Sequence, residues 1–325
     1  MGRHHLLAGG GGFIGSHLAD ALVARGDRVT IIDNFVTGRP ENIAHLDDHP
    51  AVAVIRHDIT ERLPEAVVAG SYDTVLDLAS PASPVDFATM PLEILAVGST
   101  GTRNLLDLAK AQGARFFLAS TSEVYGDPLV HPQPETYLGN VSSTGPRSCY
   151  DEAKRFSEAL TMAYHRTHGL DVRIVRIFNT YGERMRPDDG RVVNTFVVQA
   201  LRGEPITLHG DGSQTRSFCH VSDEVAGLIA VLDGHLPGPI NVGNPGEFTI
   251  RQLAEVVIEL SGSSSEIISV ALPPEREGDP LQRRPDITLV STAYGWSPTI
   301  ELRTGLARMI DHFRANETID EVRLP

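Results

Sequence analysis

The chain has 325 residues, 41% of them hydrophobic, with a formal net charge of −14 and a pI near 5.3. That length suffices for a full hydrophobic core and two lobes, and an acidic balance without any basic stripe excludes nucleic acid and an anionic membrane surface as partners. No apolar run approaches the ~20 residues of a membrane span, the first residues run straight into a strand pattern that leaves no room for a signal peptide, and Cys149 and Cys219 have neither disulfide nor metal-site spacing. A cytoplasmic protein without a metal is therefore expected.

In chain order, short apolar runs alternate with amphipathic stretches. Strand patterns at 4–9, 28–34, 51–58, 74–80, 115–122 and 172–179 are separated by helix patterns at 13–26, 91–113 and 150–169. Strand–helix–strand repetition with Gly and Asp at the joints predicts an α/β fold with a doubly wound parallel sheet of Rossmann type. After Asn179 the regularity breaks. Loops rich in Pro, Gly and Arg at 183–191, 209–216 and 273–286 alternate with helices at 194–203, 250–262 and 301–316, which predicts a smaller C-terminal α/β lobe with binding loops. The expected division gives 1–178 and about 217–240 to a nucleotide-binding domain, and about 179–216 with 241–325 to a substrate-binding lobe.

At the first joint, Gly9-x-x-Gly12-x-x-Gly15 follows a strand and opens a helix. Gly9 permits a tight turn, Gly12 lets the backbone approach a pyrophosphate, Gly15 lets helix and strand pack closely, and the helix N-terminus offers free N–H groups to the anion. The next strand ends in Asp33, whose carboxylate can accept from the adenosine 2′- and 3′-hydroxyls and repels a 2′-phosphate, which favours NAD over NADP despite Arg39 nearby. A second feature is compositional. Of 28 basic residues only Lys110 and Lys154 are lysine, and Lys154 stands four residues after Tyr150 on one predicted helix face. A compact, tunable ammonium does what a guanidinium fork cannot.

The wide glycine spacing followed by Tyr150-x-x-x-Lys154 resembles the short-chain dehydrogenase/reductase superfamily, which implies that Tyr150 is the general acid/base. Ionising a phenol of ordinary pKa near ~10 at neutral pH needs about 4 kcal/mol, and an ammonium at roughly 4 Å in an effective dielectric near 20 supplies about that much. The segment from Phe116 through Pro128 resembles the nucleotide-sugar branch, where Thr121 would hydrogen-bond the sugar 4-oxygen. In that branch 4-epimerases lack an acid at the following positions and 4,6-dehydratases carry Asp-Glu, whereas here Ser122-Glu123 stands. This pattern, with "GPRSCYDEAKR", "RIFNTYGERM", "GDGSQTRSF", "NVGNP" and "QRRPDI" in order, resembles the UDP-glucuronate decarboxylase (UDP-xylose synthase) family across essentially the whole chain.

The resemblance implies catalytic roles for Thr121, Ser122, Glu123, Tyr150 and Lys154, with Glu123 handling protons and water around the sugar's C5 and C6. It implies NAD contacts from Gly9, Gly12, Phe13, Ile14, Gly15, Asp33, Asn34, Asp58, Ile59, Ala79, Tyr150 and Lys154. It implies a UDP-sugar held by Asn179, Arg191, His209, Gln214 and Arg216, with Glu123 beside the sugar and Arg283 reaching the hexuronate carboxylate, its neighbour Arg284 being the competitor. A homodimer through the helices at 91–109 and 150–165 is also implied. Departures are Gly98 where the family usually has an asparagine supporting the proton relay, Gly11 for Ala, Ala8 for Thr, and His209 for an aromatic. Gly98 raises a second outcome, release of UDP-4-keto-pentose instead of UDP-xylose. A 4-epimerase or 4,6-dehydratase is disfavoured by Glu123 and Ser122 respectively, and a non-catalytic sensor of dinucleotide or nucleotide sugar by the intact Thr121, Tyr150 and Lys154.

Overall fold

The computed structural model describes residues 2–271, 280–316, 319 and 324. Residues 273–279 of the expected loop at 273–286 lie outside the described residues. Six of the predicted strands form β1 (His4–Ala8), β2 (Arg28–Asp33), β3 (Val52–Arg56), β4 (Thr74–Asp77), β5 (Arg115–Thr121) and β6 (Val172–Ile177). With a seventh strand, Ile240–Val242, they make one parallel sheet in the order seventh, β6, β5, β4, β1, β2, β3. Their Val, Ile and Leu runs are continuous because helices cover both faces, as a parallel sheet demands. The strand order reverses between β1 and β4, and the crevice outside their carboxyl ends is where such a fold takes its ligand.

Helix α1 (Phe13–Ala24) follows β1 and packs Leu18, Ala19 and Leu22 into a core shared with Leu7, Ile31 and Val242. Val290 and Trp296 lie in this same core although they fall within 241–325, so those residues buttress the nucleotide side of the molecule. The helix Val221–Asp233, which the sequence reading leaves unassigned, packs here too through Val225, Leu228 and Val231. A second core joins the helices Val192–Arg202, Ile250–Ser261 and Leu302–Asn316 through Phe196, Val197, Leu253, Val257, Leu306 and Met309. Several two- to four-residue strands, including Thr215–Ser217 and Gln282–Arg283, line the loops between them. Among the described residues, no helix is long and apolar enough to cross a membrane.

The predicted helix at 91–113 is not uniform. It runs as Pro91–Ala96, a π-helical turn at Val97–Gly101, and Thr102–Gln112. Gly98 is buried in that turn against the helix Ser148–His168: a β-carbon there would lie 2.8 Å from Ala153 Cβ and 3.1 Å from its carbonyl oxygen. The Gly98 carbonyl accepts from Ser157 Oγ at 2.7 Å, which ties the two helices at their closest approach. Replacing Gly98 by Ala gains about 1 kcal/mol of helix propensity, but overpacking costs about 1–3 kcal/mol. Gly98→Ala is therefore expected to lower the thermal unfolding midpoint; a raised midpoint would show that the Ala153 contact yields freely.

Candidate active site

The glycine turn has the geometry that its spacing predicts. Gly9 sits at φ +81°, where side chains are strained, and a β-carbon on Gly15 would lie 2.1 Å from the Gly9 carbonyl oxygen. Only glycine lets α1 start so close to β1. Gly12 caps α1 without a side-chain hydrogen bond, and no acid stands in the first turn. The positive end of the helix dipole thus faces a cavity of about 200 Å³ lined by Gly9, Gly12, Phe13, Ile14 and Gly15. This cradle fits the diphosphate of a dinucleotide.

Asp33 ends β2 and its carboxylate accepts from the backbone N–H groups of Gly11 and Phe35, both at 2.8 Å. Burial dominates and pushes its pKa up, while the two N–H bonds oppose the shift. Asn34 donates to Asp58 Oδ2 at 2.9 Å, so these two expected cofactor residues form one unit beside β2. Burial raises Asp58, but hydrogen bonds from Thr60 and Asn34 outweigh it and keep the acid below its ordinary range. The Ile59 side chain is core, not surface, and its carbonyl accepts from Asn104. Ala79 abuts the turn, its nitrogen 2.8 Å from where a Gly9 β-carbon would stand. Asp33, Asn34, Asp58, Ile59 and Ala79 do not line the 200 Å³ cavity itself.

That cavity continues past β5 to Thr121, Ser122, Glu123, Tyr150, Lys154, Asn179 and Arg191. Thr121 and Ile177 are register partners on adjacent strands, which is why the turn after β5 and Asn179 after β6 share one end of the sheet. A larger cavity of about 780 Å³ meets the first at Glu123, Asn179, Thr180 and Arg191, and its wall carries His209, Gln214, Arg216 and Arg283. All the expected substrate residues therefore converge. Gln214 donates to the His209 carbonyl at 3.0 Å, Arg216 to the Thr215 carbonyl at 2.8 Å, and Arg191 to the Ala82 carbonyl at 2.8 Å.

Tyr150 and Lys154 lie one turn apart near the start of the helix Ser148–His168, both buried. Their electrostatics depart from the sequence expectation. Burial pushes the Tyr150 phenol up to about 12, and the groups that pull it back are the Thr121 hydroxyl and the Arg191 guanidinium. Lys154 is not among them: its ammonium donates to the Ala119 carbonyl at 3.0 Å and is balanced by Asp77 and Glu158. Burial lowers the Lys154 pKa and raises that of Asp77. The largest influence on the phenol is therefore burial, and the Lys154 ammonium is bonded to the Ala119 carbonyl.

Glu123 is held between two guanidiniums. Arg147 donates to Oε2 at 2.6 Å and Arg283 to Oε1. Burial alone would raise its pKa, yet the two guanidiniums bring it down to about 2. Arg283 is only 2% exposed and also donates to the Gly126 carbonyl at 2.8 Å, which decides between it and Arg284 as the arginine that reaches the cavity. Burial and the Glu123 charge push neighbouring Asp151 up to about 7. Arg147, Phe87 and Asp151 were missed by the sequence reading. Arg147 stands inside the quoted segment "GPRSCYDEAKR", three residues before Tyr150, and only its position there set it apart from the other arginines.

A family model described as GDP-mannose 4,6 dehydratase matches residues 6–309. UDP-glucuronic acid decarboxylase 1 of Arabidopsis thaliana is 52% identical over 324 residues, covering 99% of this chain and 72% of that one. A Bacillus cereus UDP-glucuronic acid 4-epimerase, solved with UDP-glucuronic acid and NAD, superposes with a TM-score of 0.86 at 29% identity over 96% of this chain and 99% of that one. A Streptomyces venezuelae dTDP-glucose 4,6-dehydratase with NAD bound gives a TM-score of 0.87 at 29% identity over 96% and 97%. The fold and site define a nucleotide-sugar enzyme of the extended short-chain dehydrogenase/reductase superfamily. Within it, the chain belongs to the UDP-glucuronic acid decarboxylase family.

The Glu123 clamp has a pH signature. A carboxyl held at about 2 against an ordinary 4.5 stabilises the fold above pH 4.5, and that contribution disappears as pH falls toward 2. Denaturant unfolding across this window should show stability falling with pH, with Glu183, also near 2, contributing to the slope. In Glu123→Gln the slope should shrink, and stability at neutral pH should drop by about 3–5 kcal/mol because two guanidiniums lose their partner. An unchanged slope would show that the clamp is absent in solution.

Proposed function

We propose that this chain decarboxylates UDP-glucuronate through a UDP-4-keto-hexuronate intermediate to UDP-xylose and carbon dioxide, using NAD as a bound redox cofactor. The observation that carries the reading is Arg283, a buried guanidinium beside Glu123 on the wall of the larger cavity, near where that cavity meets the one holding Tyr150. A sugar carboxylate needs a forked donor of this kind, and the chain is 52% identical to a named UDP-glucuronic acid decarboxylase.

Phe13, Ile14 and the glycine turn would hold the diphosphate of NAD and Asp33 its adenosine ribose, where a carboxylate disfavours the extra phosphate of NADP. NAD supplies a hydride acceptor for C4 of the sugar and the donor for the return step. Asn179, Arg191, Gln214, Arg216 and His209 bind the UDP portion in the larger cavity. Tyr150, oriented by Thr121, takes the proton of the 4-hydroxyl and later gives it back. The 4-ketone stands β to the C6 carboxylate, so the electron pair left by departing carbon dioxide is delocalised onto the ketone oxygen. Glu123, Ser122 and Thr121 then order the water that delivers a proton to C5.

Time-resolved proton NMR of the enzyme with UDP-glucuronate and NAD, alongside NADH absorbance, tests this. UDP-xylose without net NADH is expected. UDP-4-keto-pentose with accumulating NADH would replace the product assignment and implicate Gly98, and no consumption of UDP-glucuronate would sink the reading. Tyr150→Phe should lower kcat by about 10²–10⁴-fold; an unchanged rate would return the sensor reading.

The reading includes work in the cytoplasm as a homodimer. Leu92, Leu95 and Phe156 are 74%, 41% and 50% exposed on the helices Pro91–Ala96 and Ser148–His168, an apolar surface that a four-helix interface would cover. Light scattering should give a mass near twice the 35.2 kDa chain; a mass near 35.2 kDa would exclude the dimer.

A further inference from the structure

Arg147 stands at the N-terminal end of the helix that carries Tyr150, and its guanidinium meets Glu123 and the Phe87 ring in different ways. One nitrogen donates to Glu123 Oε2 at 2.6 Å. The guanidinium carbon lies over the Phe87 ring, 5.4 Å from its centroid. That ring in turn stacks on Tyr150, with centroids 4.8 Å apart and planes 18° from parallel. Glu123, Phe87 and Tyr150 come from three different segments of the chain, and Arg147 is adjacent to all three.

We propose that Arg147 is a positioning residue for both proton-handling groups of the reaction, holding the Glu123 carboxylate through its N–H and the Tyr150 ring through Phe87. The inference rests on the roles proposed above for Glu123 and Tyr150. Only an arginine meets both requirements, because its planar cation can donate in its own plane while its face covers an aromatic ring. Arg283 cannot substitute. Its fork is divided between Glu123 and the Gly126 carbonyl, and it is the group assigned to the substrate carboxylate. When Arg283 turns to substrate, Arg147 remains as the counter-charge of Glu123.

The groups facing Glu123 are Arg147, Tyr150 and Asp151 from the start of the helix and Arg283 from the strand Gln282–Arg283. Removing the Arg147 charge leaves Arg283 alone to oppose burial, so the Glu123 carboxyl should titrate higher and the acid limb of the kcat profile should move to higher pH. Misplacing both Glu123 and Tyr150 should lower kcat by about 100-fold, with KM for UDP-glucuronate little changed.

Two variants separate the parts. Arg147→Gln should show both the lower kcat and the shifted limb. Arg147→Lys, which keeps the charge but lacks the flat face, should keep the limb near its wild-type position while kcat stays low. Wild-type kcat and an unmoved limb in both variants would overturn the proposal, as would a loss confined to KM, which would make Arg147 a substrate contact. A carbon-13 NMR titration of glutamate-labelled protein without substrate, with Glu123 assigned through Glu123→Gln, gives a readout independent of turnover. If wild type does not consume UDP-glucuronate, the functional reading fails, while a Glu123 titration that moves up in Arg147→Gln still supports the hold of Arg147 on Glu123; an unmoved titration overturns it.

Discussion

The site is organised by one carboxylate between two guanidiniums. Glu123 stands just after β5, Arg147 at the start of the Tyr150 helix, and Arg283 in a strand 160 residues further along. Burying an ion pair is weak support for stability in itself, since desolvation consumes most of the Coulombic gain. Its effect is on specificity of arrangement. Arg283 is almost fully buried, and without Glu123 and the Gly126 carbonyl it would be an uncompensated charge, so the turn after β5, the helix start and the strand Gln282–Arg283 are constrained to meet. The same trio carries one net positive charge on the wall of the substrate cavity, which suits a substrate that brings one more carboxylate.

Tyr150 has a different problem. Burial pushes its phenol up to about 12, so ionisation calls for groups that favour the phenolate. Thr121 and Arg191 favour the phenolate, and both line the smaller cavity, Arg191 where it meets the larger one, so groups that face the expected sugar also ease ionisation. Lys154 contributes in another way. Its ammonium bonds to the Ala119 carbonyl of β5 and faces Asp77 at the end of β4, fixing the helix to the sheet at the level of the reacting groups. A compact ammonium suits this buried position between one carbonyl and two carboxylates.

Much of this was legible in the sequence, for local reasons. The glycine spacing, the acid at the end of β2 and the alternation of apolar strands with amphipathic helices are short-range patterns, and each reappears in the fold where expected. The helix Val221–Asp233 and the two- to four-residue strands of the second lobe were not legible, because such segments are stabilised by what they pack against. Arg147 was invisible for a related reason. Among 26 arginines, burial and partners are tertiary properties, and its partner Glu123 is 24 residues away. Lys110, the other lysine, is exposed at the last turn of Thr102–Gln112, where any cation suits the helix dipole.

Gly98 shows how such a substitution is absorbed. An asparagine at this position, as the family resemblance implies, would need room between the helix Pro91–Gln112 and Ala153. Here Ala153 lies within 2.8 Å of where even a β-carbon would stand, and the π-helical turn shifts the backbone so that the Gly98 carbonyl reaches Ser157. Ser157 also donates to the Ala153 carbonyl at 2.9 Å and approaches Thr102 Oγ1 at 3.4 Å. Thr102 in turn donates to Asp77 at 2.8 Å, the acid that balances Lys154. A chain of hydrogen-bonding groups thus runs from Gly98 to the environment of Lys154 through hydroxyls and one carboxylate. The carbonyl of a residue without a side chain thus anchors the hydroxyl network that reaches Asp77, the acid facing Lys154.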